Sequence, residues 1–135
     1  MTERIDHIAI IGLGLVGASL AAALAASRPD CEIVGIDISS ETVKKALDAG
    51  WVDQAVLPDD PRFEEYIKGS CDMVVLATPV DAARDYLEML PAWDFKGMIT
   101  DTASTKEGIT AFAQETLTYP ERYIPGHPMA GSEKN

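Results

Sequence analysis

The sequence predicts an α/β fold, a doubly wound and mostly parallel sheet with helices on both faces. Three observations predict it. Six short apolar runs alternate with five helix-like segments across the 135 residues. The segments between successive runs are long enough for parallel crossovers, each right-handed. With 47% apolar and 24% charged residues, the chain has the composition and size of one globular domain with a single sheet to cover.

The elements follow in order. "HIAIIGLG" is a short isoleucine-rich run ending in glycine, as expected of a strand buried on both faces. Val16 to Ser27 is dominated by Ala and Leu and stops at Arg28-Pro29-Asp30, so it reads as a helix. "CEIVGID" is the second strand. Ser39 or Ser40 then caps a helix with Val43 and Leu47 on one face, ending at Gly50. A weak strand is expected around Trp51 to Leu57, then a helix opened by Pro61 and carrying Phe63, Tyr66 and Ile67. "CDMVVLATPV" is a strand running into Thr-Pro, and "DAARDYLEML" is an amphipathic helix. "GMITD", "TKEGITAFAQETL" and "RYIPG" complete the alternation as strand, helix and strand.

The 22 acidic residues against 11 basic ones leave a net charge of -11, which disfavours extended contact with nucleic-acid phosphates or anionic lipid. Small molecules are the expected partners. Ile8 to Ala26 carries no charge, but the preceding "MTERIDH" lacks the positive excess of a secretory signal and glycines interrupt the run. With only two cysteines as well, a reducing cytoplasmic setting is expected. Cys31 and Cys71 open strands that flank the first strand, about 9 to 10 Å apart, too far for a disulfide. Trp51 and Trp93 are expected to pack, and His7 to sit at a strand edge.

Gly12, Gly14 and Gly17 form G-x-G-x-x-G between the first strand and first helix. There the backbone turns tightly and its N–H groups can approach a pyrophosphate. With Leu13, Leu15 and Val16 between the glycines, the whole turn is assigned to a dinucleotide. Asp37 lies 20 residues beyond Gly17 at the end of the second strand, where a carboxylate can accept from the adenosine ribose hydroxyls. A carboxylate there repels a 2′-phosphate, and Ile38-Ser39-Ser40 offers no arginine to hold one, so NAD is expected over NADP. No metal site is expected. Three further clusters fall just past predicted strands: Thr78-Pro79-Val80, "DTASTK" beginning at Asp101, and Gly126-His127-Pro128. In a doubly wound sheet these gather on one rim with the glycine turn, and Thr78, Pro79 and Asp101 are assigned to the cofactor with it. Turn formation by Thr-Pro and helix capping by Ser104 or Thr105 are the ordinary alternatives.

The set "IGLGLVGASLA", "GID", "ATPV", "DTASTK" and "GHPMAGSE" resembles the nucleotide-binding domain of the prephenate dehydrogenase family, which also includes arogenate dehydrogenases. The resemblance spans essentially the whole chain and implies a Rossmann-type domain. It implies NAD-dependent oxidative decarboxylation of prephenate in tyrosine biosynthesis, with His127 taking the proton of the substrate's ring hydroxyl. Neutral imidazole suits a base working near neutral pH. It further implies Ser104 as a hydroxyl orienting the reacting groups, and Thr78-Pro79 as part of the nicotinamide wall. A helical domain beyond these residues, providing a homodimer interface and an arginine for the substrate carboxylate, is also implied. Residues 1–135 are therefore expected to be the dinucleotide-binding part, truncated relative to the family. An NAD-binding module without turnover, or an arogenate dehydrogenase, are the alternatives.

Overall fold

The computed structural model describes residues 5–102 and 106–125. It contains six strands: β1 His7–Ile11, β2 Glu32–Ile36, β3 Gln54–Val56, β4 Met73–Leu76, β5 Met98–Asp101 and β6 Tyr123–Ile124. They form one sheet in the order β3-β2-β1-β4-β5-β6, every neighbouring pair parallel. Parallel strands need crossovers, and five helices supply them: α1 Leu15–Ser27, α2 Ser40–Ala49, α3 Pro61–Gly69, α4 Val80–Ala92 and α5 Lys106–Thr116.

Alternation along the strands divides the apolar residues between two layers. Ala9, Ile11, Val34, Ile36, Val74 and Leu76 face a core completed by Phe63, Leu87, Leu90 and Ile109 from α3, α4 and α5. Ile8, Ile10, Ile33 and Val75 face the opposite core, completed by Ala21 of α1 and Ala46 of α2. The uncharged run from Ile8 to Ala26 is thus a strand, a turn and most of a helix. Among the described residues no helix is long and apolar enough to cross a membrane.

Local signals hold at several boundaries. Ser39, rather than Ser40, caps α2 by accepting from the Thr42 N–H at 3.1 Å, and Gly50 ends it with φ 76. Asp60 caps α3 ahead of Pro61. Three expectations shift. α1 begins at Leu15, one residue earlier than expected, because Gly14 already accepts the first helical bond from Ala18. α4 runs past the expected end at Leu90 to Ala92; Pro91 sits in the last turn, so its missing N–H removes a single i→i−4 bond and the helix stops one residue later. Before β6, Pro120–Arg122 form a 3₁₀ turn, so Arg122 is not strand; a proline suits the start of such a turn. Gly126, expected in that strand, lies outside the described residues.

The packing assignments stand. Cys31 and Cys71 are free thiols that lie just before β2 and β4, outside the strands they were expected to open, with β1 between those two strands; burial pushes Cys71 up to about 12. Trp93 meets Phe63 edge-on at 5.0 Å, and Trp51 is partly buried against the second core. His7 opens β1, its Nδ1 3.3 Å from an Asp72 carboxylate oxygen, at the end of the sheet away from the glycine turn.

Candidate functional site

The topology reverses direction between β1 and β4: strands run outward to β3 on one side and to β6 on the other. At such a switch point the two crossovers leave on opposite faces, and a crevice opens beyond the carboxyl ends of the strands. A cleft of about 280 Å³ occupies that position, at the low end for small-molecule sites. It gathers Gly12, Gly14, Asp37, Thr78 and Pro79, drawn from three separate loops.

Each glycine of the turn has a separate physical reason. Gly12 adopts φ +101, and a Cβ there would lie 2.7 Å from the Ala77 carbonyl oxygen. Gly17 sits inside the first turn of α1, where a Cβ would lie 1.8 Å from the Gly12 carbonyl oxygen. Gly14 differs, because a Cβ there would meet nothing within 4 Å. Its side faces the opening, so the absent side chain leaves room for a ligand rather than for protein.

The helix behind the turn is built to meet an anion. α1 has no side-chain cap and no acidic residue in its first turn, so its leading N–H groups are not taken up by a capping side chain. α2 and α3 differ: Ser39 and Asp60 cap them through their side chains. α4 is uncapped as well, with Pro79 at its N-cap on the same cleft. Thr78 Oγ1 is buried there without a hydrogen-bond partner. Open space at Gly14, the uncapped N–H groups and the orphan hydroxyl together fit a phosphate-bearing ligand.

Asp37 stands at the cleft wall beside Ile38, which is 82% exposed. Its carboxylate accepts from the Leu13 N–H at 2.8 Å and from the Ser39 N–H at 2.9 Å. Asp101 is brought to the same edge of the sheet but is 2% exposed, its carboxylate accepting from the Tyr123 hydroxyl. Leu13 is buried, whereas Leu15 and Val16 are exposed at the start of α1. Ser104 and His127 lie outside the described residues.

Residues that the sequence reading did not assign also shape the site. Gly35, inside β2, lies beneath the Leu13 side chain; a Cβ there would be 2.7 Å from Leu13 Cδ1. A lone glycine within an apolar strand is the available signal for such a close approach. Ala82 and Tyr86 line the cleft from successive turns of α4. Burial first, then the charges of Asp37 and Asp85, push the Tyr86 phenol upward, so it stays a neutral hydroxyl. A larger groove of about 520 Å³ runs between α1 and α2, but it excludes Asp37 and Thr78.

Comparisons with known proteins point to one family. The family described as "Prephenate dehydrogenase, nucleotide-binding domain" matches residues 20–135. The chain is 36% identical over 139 residues to prephenate dehydrogenase of Bacillus subtilis (strain 168), covering 100% of this chain and 36% of that one. It is 37% identical over 131 residues to cyclohexadienyl dehydrogenase of Zymomonas mobilis, covering 96% of this chain and 42% of the other. The crystal structure of prephenate dehydrogenase from A. aeolicus in complex with hydroxyphenyl propionate and NAD+ is similar with TM-score 0.82 and 29% identity, covering 99% of this chain and 45% of that one. The chain thus spans less than half the length of these relatives.

Proposed function

The chain belongs to the prephenate dehydrogenase nucleotide-binding family, and we propose that it binds NAD in the cleft between the glycine turn, Asp37 and α4. We propose further that it serves as the cofactor-binding part of an enzyme that oxidatively decarboxylates prephenate to 4-hydroxyphenylpyruvate. The observation that carries the first part is the uncapped start of α1 beneath a turn whose Gly14 faces open space. Under this reading the N–H groups of Leu15 and Val16 hold the pyrophosphate, Asp37 accepts from the ribose, and Thr78 and Pro79 border the cofactor. Because Thr78 and Pro79 share the cleft with Asp37, they serve the adenosine side as well as any nicotinamide wall.

NAD supplies the hydride acceptor. Family likeness assigns His127 to take the ring-hydroxyl proton as the ring C–H gives up a hydride; the C–C bond to the ring carboxylate then breaks, carbon dioxide leaves, and the ring becomes aromatic. Ser104 orients the reacting groups. A reducing, cytoplasmic setting belongs to this reading.

Calorimetric titration tests the binding part. NAD is expected to bind more tightly than NADP, and Asp37→Ala is expected to weaken NAD and narrow the preference, since it removes both the ribose acceptor and the charge facing a 2′-phosphate. Unchanged dissociation constants for both cofactors would remove Asp37 from the site. For turnover, reduced cofactor is followed by absorbance with NAD and prephenate, and separately with arogenate. Turnover lost in His127→Asn supports the enzyme; turnover surviving that change removes His127 as the base. Binding without turnover supports a module that depends on groups outside residues 1–135.

A further inference from the structure

We propose that Asp37 is a positioning residue for the phosphate-binding turn, so that affinity for the pyrophosphate end of the ligand depends on it independently of any contact with the ribose. This rests on reading the cleft as a dinucleotide site. The carboxylate joins two backbone segments: Oδ2 accepts from the Leu13 N–H inside the turn, 24 residues before Asp37, and Oδ1 accepts from the Ser39 N–H at the cap of α2. Hydrogen bonds to an ionised acceptor are roughly twice as strong as neutral ones.

The neighbouring residues of β2 act in the same direction. The Ile36 carbonyl accepts from the Gly12 N–H at 2.7 Å, and Gly35 provides the flat surface on which the Leu13 side chain, 3% exposed, is seated. Gly35, Ile36 and Asp37 therefore hold two consecutive residues of the turn. A glycine-rich segment has the most backbone freedom to lose, and fixing it beforehand lowers the cost of binding. Charge alone argues against a carboxylate beside a phosphate site. The backbone donors account for its presence, and an ionised carboxylate retains lone pairs for ribose hydroxyls. A change at position 37 made to admit a 2′-phosphate would also loosen the turn.

The test uses ADP and 2′,3′-dideoxy-ADP, titrated calorimetrically into the wild-type chain, Asp37→Ala and Asp37→Asn. The dideoxy ligand keeps the pyrophosphate and lacks both ribose hydroxyls. A carboxylate acting only on the ribose leaves dideoxy-ADP affinity unchanged in the variants, or tightens it by removing a like charge. A positioning carboxylate makes dideoxy-ADP about tenfold weaker in Asp37→Ala. It also weakens it in Asp37→Asn, because the two N–H groups are bound by different oxygens and the amide nitrogen that replaces one of them cannot accept. Faster hydrogen exchange at the Leu13 amide is expected in both. Circular dichroism checks folding; should Asp37→Ala not fold, Asp37→Asn carries the test. Unchanged or tighter dideoxy-ADP binding by a folded variant overturns the proposal. Failure of the wild-type chain to bind either ADP or NAD overturns instead the dinucleotide reading beneath it.

Discussion

Gly17→Ala is expected to abolish NAD binding and to destabilise the fold by about 2–3 kcal/mol. The direction is opposite to helix propensity, by which alanine inside a helix is favoured over glycine by about 1 kcal/mol. Packing decides the sign. The new Cβ would lie 1.8 Å from the Gly12 carbonyl oxygen and 3.3 Å from Ala77 Cβ. The first of these is backbone, which cannot swing aside as a flexible side chain can. Relief requires α1 to move off the turn, and that displaces both the leading N–H groups and the Gly12 conformation. Thermal unfolding and calorimetric titration check the two effects together. A melting temperature at or above that of the wild type would mean that the helix and turn are not in contact.

Gly14→Ala separates the two effects. Its φ of -71 is ordinary for any residue, and a Cβ would meet nothing within 4 Å. Stability is therefore expected to stay within about 0.5 kcal/mol of the wild type. The methyl group, however, enters the space over the uncapped end of α1. NAD affinity is expected to fall between about tenfold and a hundredfold. Unchanged affinity in this variant would show that no ligand group approaches Gly14. The two alanine variants thus distinguish a glycine kept for protein packing from one kept for ligand access.

Much of the fold was legible because its signals are local. The apolar runs, Pro61, Ser39 and Gly50 act within a few residues, and each marks the element expected. That the glycine turn, Asp37, Thr78 and Pro79 share one cleft was legible for a different reason: a doubly wound sheet carries its loops to one rim, whatever their sequence distance. What escaped were contacts that depend on a partner. Gly35 signals a close approach to β2, but nothing near it names Leu13 as the side chain that lies there. Nor does the helical period of α4 distinguish Tyr86, which lines the cleft, from Leu87, which is buried in the core. Asp101 was read as a rim residue from its place after a strand, yet it is held beneath the surface by Tyr123, a partner 22 residues away. The 3₁₀ turn before β6 was missed because a two-residue strand is too short to set a period.

On the proposed reading, NAD enters at one end of the sheet, at the switch between β1 and β4. Backbone amide chemical shifts recorded on titration with NAD test it most directly. Shifts are expected to be confined to Gly12 through Gly17, to Asp37 and Ile38, and to Ala77 through Tyr86. Shifts centred instead on His7, Cys31 and Asp72, at the other end of the strands, would contradict it.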